Sequence, residues 1–165
     1  MKILYVHGLE SGPLPDDKRI PLELLGFTII SPDINYFNGD VLPMLKKIVD
    51  TEHPDFIVGS SIGGRVGYYL SNVTKVPALL FNPALDSPQS NELQPIPKFV
   101  QDVPKFENQF FVFGGNDDVV YPESTLDFLE HELDFWNDYK LIDSMAHRVP
   151  VDVLIDCIKT FSERV

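Results

Sequence analysis

Gly59-Ser60-Ser61-Ile62-Gly63 directly follows the apolar run Phe56-Ile57-Val58, a spacing able to present a serine hydroxyl on a sharp turn between a strand and a helix. Such a turn forces its central residue into a strained backbone conformation, and the close approach of the two elements excludes side chains two positions to either side. Gly59 and Gly63 satisfy that demand around Ser61. Around Ser60 the same positions hold Val58 and Ile62, both β-branched and both unsuited to a tight turn. The register selects Ser61 as the candidate nucleophile.

A serine hydroxyl attacks a carbonyl well only when a base removes its proton and a third group orients that base. Of the four histidines, His147 lies in Asp143-Ser144-Met145-Ala146-His147-Arg148, between the last apolar run and the last helical stripe. It is expected at the C-terminal edge of a parallel sheet, where Ser61 also emerges and where open α/β sheets build their sites. His53 precedes Pro54 ahead of a strand and belongs to the opposite edge, while His131 lies in an acidic helix. The acid comes from Gly114-Gly115-Asn116-Asp117-Asp118-Val119-Val120, which leaves a strand at the productive edge, and either Asp117 or Asp118 can reach the imidazole. The chain order of nucleophile, acid and histidine is that of α/β hydrolases.

Acyl transfer also needs donors for the developing oxyanion, each worth roughly 3 kcal/mol of transition-state stabilisation. The Ile62 N–H, at the start of a helix where amides are unpaired and the dipole is positive, is one. The loop His7-Gly8-Leu9-Glu10-Ser11-Gly12-Pro13 supplies the second, with the Leu9 N–H as the candidate and His7 as the residue that shapes the loop. This glycine loop is not a phosphate cradle, because no Gly-Lys-Ser/Thr follows and the dinucleotide glycine spacing is missing.

The elements that must position these groups are legible as alternating patterns. Ile3 to Val6, Phe27 to Ile30, Phe56 to Val58, Ala78 to Phe81, Phe110 to Phe113 and Tyr139 to Ile142 read as buried strands of a parallel sheet. Helices are predicted over Lys18 to Leu25, ended by Gly26; over Asp40 to Asp50, with Val41, Leu42, Leu45, Ile48 and Val49 on one face; and over Ile62 to Leu70. Pro122 opens another, and Val151, Leu154, Ile155, Ile158 and Phe161 stripe the last. The alternation specifies a doubly wound α/β sheet. Residues 84–105, with Pro88, Pro95, Pro97 and Pro104, are too long for a featureless connection. They are either an elaborated surface loop or a small cap whose apolar Leu93, Ile96, Phe99 and Val100 wall the pocket.

The 165 residues, 44% hydrophobic and 23% charged, suit a single domain spanning 1–165. Met1 to Val6 is too short an apolar stretch for a secretory or membrane-spanning segment, and Cys157 stands alone, so a cytoplasmic protein without disulfides is expected. Cys157 reads as an inert residue at the core edge. No His/Cys/carboxylate cluster has metal spacing, and neither a metal nor an organic cofactor is expected. A net charge of −12 repels nucleic acid and anionic membranes.

Tyr5-Val6-His7-Gly8-Leu9, the serine turn with its additional Gly64, Phe81-Asn82-Pro83-Ala84, Gly114 to Val120 and Ala146-His147 together resemble the small bacterial α/β-hydrolase-fold esterases of the YqiA-like branch. The likeness runs almost end to end, and the serine turn and the His-Gly loop are its specific parts. It implies a minimal three-layer α/β-hydrolase fold, with six mostly parallel strands in the order 2-1-3-4-5-6 and helices on both faces. It further implies a Ser61, Asp117, His147 triad, because the family's acid precedes x-Val-Val/Leu; Asp118 beside it and Ser144-Met145-Ala146 before the histidine depart from the family pattern. The expected activity is hydrolysis of ester or thioester bonds in small to medium acyl substrates. The competing expectation is a binding or regulatory protein that keeps the fold without turnover.

Overall fold

The structure is a computed structural model that describes residues 1–37, 41–132 and 138–165. Six strands, β1 (Lys2–Val6), β2 (Thr28–Ile30), β3 (Phe56–Ser60), β4 (Ala78–Phe81), β5 (Gln109–Gly114) and β6 (Tyr139–Ile142), form one sheet in the order β2-β1-β3-β4-β5-β6. Every neighbouring pair is parallel. All six chains therefore leave the sheet at the same edge, which brings loops distant in sequence to one rim.

The helices are α1 (Asp16–Leu24), α2 (Val41–Glu52), α3 (Ile62–Thr74), α4 (Pro88–Leu93), α5 (Lys98–Gln101), α6 (Pro122–Glu132) and α7 (Val151–Ser162). Side chains alternate across the strands, so the core divides into two layers. Leu4, Val6, Ile57, Leu80, Phe111 and Phe113 face α2, α3 and α6. Ile3, Tyr5, Phe56, Val58, Leu79, Phe81 and Val112 face α1 and α7. The central strands β3 and β4 are buried throughout, apart from half-buried Ser60, whereas the edge strands β2 and β6 are partly exposed. This explains why the central strands read as continuous apolar runs.

Element boundaries differ from the sequence pattern where a cap outweighs periodicity. α1 begins at Asp16, two residues before the predicted start, because the Pro15 carbonyl accepts from Lys18 and Arg19 and two acids occupy the first turn, where the helix dipole favours them. Pro21 lies inside the helix, a position that sequence rules penalise. The predicted stop holds: Gly26 adopts φ 89°, and the amides of Gly26 and Phe27 donate to Glu23 and Leu22, closing the last turn as a glycine after the cap should. Asp40, the predicted start of α2, lies outside the described residues.

Residues 84–105 form two short helices rather than one surface loop, and their apolar side chains divide three ways. Leu93 lines the cleft at the strand ends while also packing against the core, Ile96 and Val100 are buried in the core with α3 and β5, and Phe99 is exposed. The expectation that all four wall a pocket is thus corrected: the segment must bury part of its own apolar surface to stay folded against the sheet. Arg65 of α3 anchors it from below, donating to the Leu85 carbonyl with its guanidinium 5.4 Å from the centre of the Tyr69 ring. Burial lowers the Arg65 pKa, against the raising influence of Tyr69 and Asp86.

Leu70, fully buried on the sheet-facing side of α3, tests this packing. Leu70→Ala should lower the unfolding free energy by about 2–5 kcal/mol, read from the shift in the urea midpoint at unchanged slope.

Candidate active site

Ser61 sits where β3 passes into α3 without an intervening loop, at φ 58° and ψ −124°, a region that non-glycine residues enter only under constraint. The constraint is visible in the packing. A Cβ on Gly59 would lie 2.6 Å from the Gly63 carbonyl oxygen, and one on Gly63 would collide with the carbonyls of Val6 and His7. Three backbone bonds fix the turn: Ser61 donates to Phe81 at 3.0 Å, and the Ser61 carbonyl accepts from Arg65 at 3.0 Å and Ala84 at 3.1 Å.

The Ser61 hydroxyl lies 3.1 Å from Nε2 of His147, and Nδ1 of the same ring lies 2.8 Å and 3.0 Å from Oδ2 and Oδ1 of Asp117. The Asp117 side chain is fully buried, while that of His147 is one-quarter exposed. A buried carboxylate requires donors. Asp117 Oδ1 takes them from the amides of Val119 and Val120, each at 2.9 Å. An ionised carboxylate accepts only, so Nδ1 carries the ring proton and Nε2 presents its lone pair to the serine. Asp118, the alternative acid, is exposed.

Leu9 and Ile62 line the same cleft as Ser61 and His147. Among the described residues neither of their backbone N–H groups has a hydrogen-bond acceptor. The loop carrying Leu9 comes close to the serine: a Cβ on Gly8 would lie 3.2 Å from Ser61 Cβ and 3.8 Å from Oγ. His7 shapes that loop from inside the core. Its Nε2 accepts from the Ile34 N–H at 3.0 Å, which leaves Nδ1 to donate to the Gly8 carbonyl at 2.7 Å, and the Tyr36 hydroxyl donates to the His7 carbonyl. Asp33, 4.0 Å from the same Nε2 and largely exposed, is the more distant contact, so the neutral tautomer accounts for the bonding. His53 and His131 are exposed, away from this group.

The cleft has a volume of about 730 Å³, ample for a small or medium organic molecule. Its walls mix Tyr5, Leu93, Val119 and Val120 with Glu10, Asp17, Lys18, Gln89 and Arg148. Burial pushes the Tyr5 phenol up to about 12. Lys18 donates to the Val149 carbonyl at 2.9 Å, tying α1 to the loop that follows His147. Its ammonium is pulled below the ordinary lysine range by burial, with Asp17 opposing and Arg148 adding to the effect. Lys18 carries no local sequence signal for this placement, since its hydrogen bond to Val149 joins segments 131 residues apart. Among the described residues there is no cluster of His, Cys, Asp and Glu able to hold a metal ion, and no helix is long and apolar enough to cross a membrane.

Comparison with known proteins places this geometry in a wider fold. MGS-MChE2, an α/β hydrolase from the metagenome of sediments of the Mar Chica lagoon in Morocco, superposes with a TM-score of 0.70 at 18% identity, covering 99% of this chain and 91% of its own. SOBER1 of Arabidopsis thaliana gives 0.70 at 16% identity, covering 99% and 98%. Est1E of Butyrivibrio proteoclasticus gives 0.72 at 14%, covering 99% and 87%. At identities this low the superpositions show the shared α/β-hydrolase fold and nothing beyond it. No curated protein sequence matches the chain. Residues 2–109, which carry the His-Gly loop, the serine turn and the Asn82-Pro83 corner, match the uncharacterised protein family UPF0227, and the chain belongs to that family.

Proposed function

We propose that this protein is a serine hydrolase of carboxylic ester or thioester bonds in small to medium acyl substrates, with Ser61 as nucleophile, His147 as base and Asp117 as the acid that orients it. The observation that carries the reading is the unbroken relay from the strained Ser61 hydroxyl through His147 to a buried, doubly amide-bonded carboxylate, opening onto a cleft of substrate size.

The chemistry follows from where the protons and lone pairs lie. As Ser61 Oγ forms its bond to the substrate carbonyl carbon, its proton passes to His147 Nε2, and Asp117 stabilises the imidazolium. The carbonyl oxygen becomes an oxyanion held by the free amides of Leu9 and Ile62, the second at a helix N-terminus. Collapse breaks the bond to the leaving alcohol or thiol, which takes the proton from Nε2 and leaves an acyl-enzyme. Water then gives a proton to His147, attacks the acyl carbon and releases the carboxylic acid, restoring Ser61. Neither a metal nor an organic cofactor enters this cycle. A small-molecule ester or thioester is accordingly the proposed partner, the acidic surface opposes nucleic acid and anionic membranes, and the cytoplasm is the proposed location.

A fluorophosphonate should label Ser61, and Ser61→Ala should remain folded, resist labelling and lose turnover of p-nitrophenyl esters and acyl thioesters by about 10³-fold or more. Wild-type turnover in that variant would remove Ser61 from the mechanism. Asp117→Asn should lower kcat by about 10⁴-fold, because the amide cannot support the required tautomer, whereas Asp118→Asn should leave it near wild type. Turnover should fall as the solution is acidified, since a protonated imidazole cannot accept the serine proton; a flat profile down to about pH 4 would count against His147 as the base.

A further inference from the structure

The chain carrying His147 has to travel before it meets the serine. β6 lies three places from β3 in the sheet, which at strand spacing is about 14 Å of rim. The loop from Ile142 to His147 spans this distance over the ends of β5 and β4. Over β5 it is held by backbone: Asn116 donates to the Met145 carbonyl at 3.0 Å, and Met145 donates to Ile142 at 3.0 Å. A side chain at Gly114 would collide with the Met145 carbonyl.

Over β4 the support is a side chain. Asn82, the residue immediately after β4, is 1% exposed and adopts φ 42°, a left-handed conformation that asparagine tolerates better than most residues. Its Nδ2 donates to the carbonyls of Ala146 at 3.2 Å and His147 at 3.1 Å, and its Oδ1 accepts from the Gly114 amide at 2.7 Å. Joining β4 to β5 does not need this side chain, because the ladder already pairs Phe81 with Val112 and the Asn82 amide donates to the Val112 carbonyl at 2.9 Å. What the carboxamide adds is a link between the strand beside the nucleophile and the backbone of the histidine.

We infer that Asn82 is a positioning residue that sets the place of the His147 imidazole between Ser61 and Asp117 by holding the Ala146 and His147 carbonyls over the end of β4. The inference rests on the reading of Ser61 and His147 as the reacting pair. Without the clamp the loop remains tied at Met145 and again at Val149, through Lys18, but the Ala146 and His147 carbonyls between those points lose their hold, so the imidazole loses its alignment while the substrate cleft keeps its walls. The loss therefore falls on kcat and spares KM, because a displacement on the order of 1 Å in a reacting group costs about 100-fold and uniform binding is untouched.

The test is steady-state hydrolysis of p-nitrophenyl acetate by wild type, Asn82→Gly, Asn82→Asp and Ser61→Ala, with circular dichroism of each. Glycine keeps the positive φ and removes both links; aspartate keeps the φ and the acceptor for Gly114 but loses the donor to the histidine loop. The expected result is that the folded variants lose about 30- to 100-fold in kcat with KM within about threefold of wild type. A folded variant with kcat within about threefold of wild type, or one whose loss lies mainly in KM, overturns the inference. Failure of both variants to fold also overturns it, since Asn82 would then serve the scaffold. Ser61→Ala separates the two levels: if it turns over like wild type the hydrolase reading itself has failed, whereas an inactive Ser61→Ala beside a fully active Asn82 variant defeats the positioning role alone.

Discussion

The arrangement depends on one steric constraint, the direct passage of β3 into α3 at Ser61. The residue is held at φ 58°, a conformation that costs on the order of 1–3 kcal/mol and persists only where its surroundings over-determine it. Here they do: the helix start presses against the β1 carbonyls through Gly63 and against the strand through Gly59. The Ser61 backbone is bonded both to its own helix and to the chain leaving β4. The same geometry that strains the backbone lifts the hydroxyl above the sheet and leaves the next amide, that of Ile62, without an acceptor among the described residues. The proposed nucleophile and the proposed oxyanion donor are thus two results of a single close approach.

Charge placement at the rim follows from burial. Asp117 is removed from water, and two backbone amides and the imidazole surround its side chain with donors. A charge so enclosed fixes its neighbour's orientation more strongly than a solvated one, since the competing dielectric is lower. Asp118, one residue away and exposed, lacks that leverage. The contrast with His7 is instructive. That ring is also buried, but both its nitrogens are taken up by backbone groups, so it holds the His-Gly loop against the sheet and has no lone pair to offer a substrate.

The segment between β4 and β5 couples fold and site. Its Ile96 and Val100 belong to the core and Leu93 bridges core and cleft, while the buried Arg65 holds its beginning to α3. An anchored wall of this kind presents a defined surface to the cleft. The opposite wall is held by Lys18 reaching across from α1 to the Val149 carbonyl. Helices from both faces of the sheet therefore bear on the same opening.

Much of this was written locally in the sequence. Runs such as Ala78 to Phe81 identify strands buried on both faces, the stripe of α7 identifies a helix on a sheet, and glycines two residues either side of Ser61 single it out from Ser60. These are short-range consequences of periodicity and steric size, which adjacent residues determine among themselves. The strand order came from family likeness rather than from any pattern in the runs, because each run is compatible with several neighbours. The choice of Asp117 over Asp118 also came from that likeness, local spacing leaving both open, and the structure turns Asp117 to the imidazole. Tertiary structure alone decided how the apolar residues of 84–105 divide between core and cleft, and that Asn82 reaches the histidine loop. The first rests on packing between segments far apart in the chain and the second on a hydrogen bond of 3.1 Å between the end of β4 and the loop after β6, and both are properties of the assembled sheet edge that no local spacing encodes.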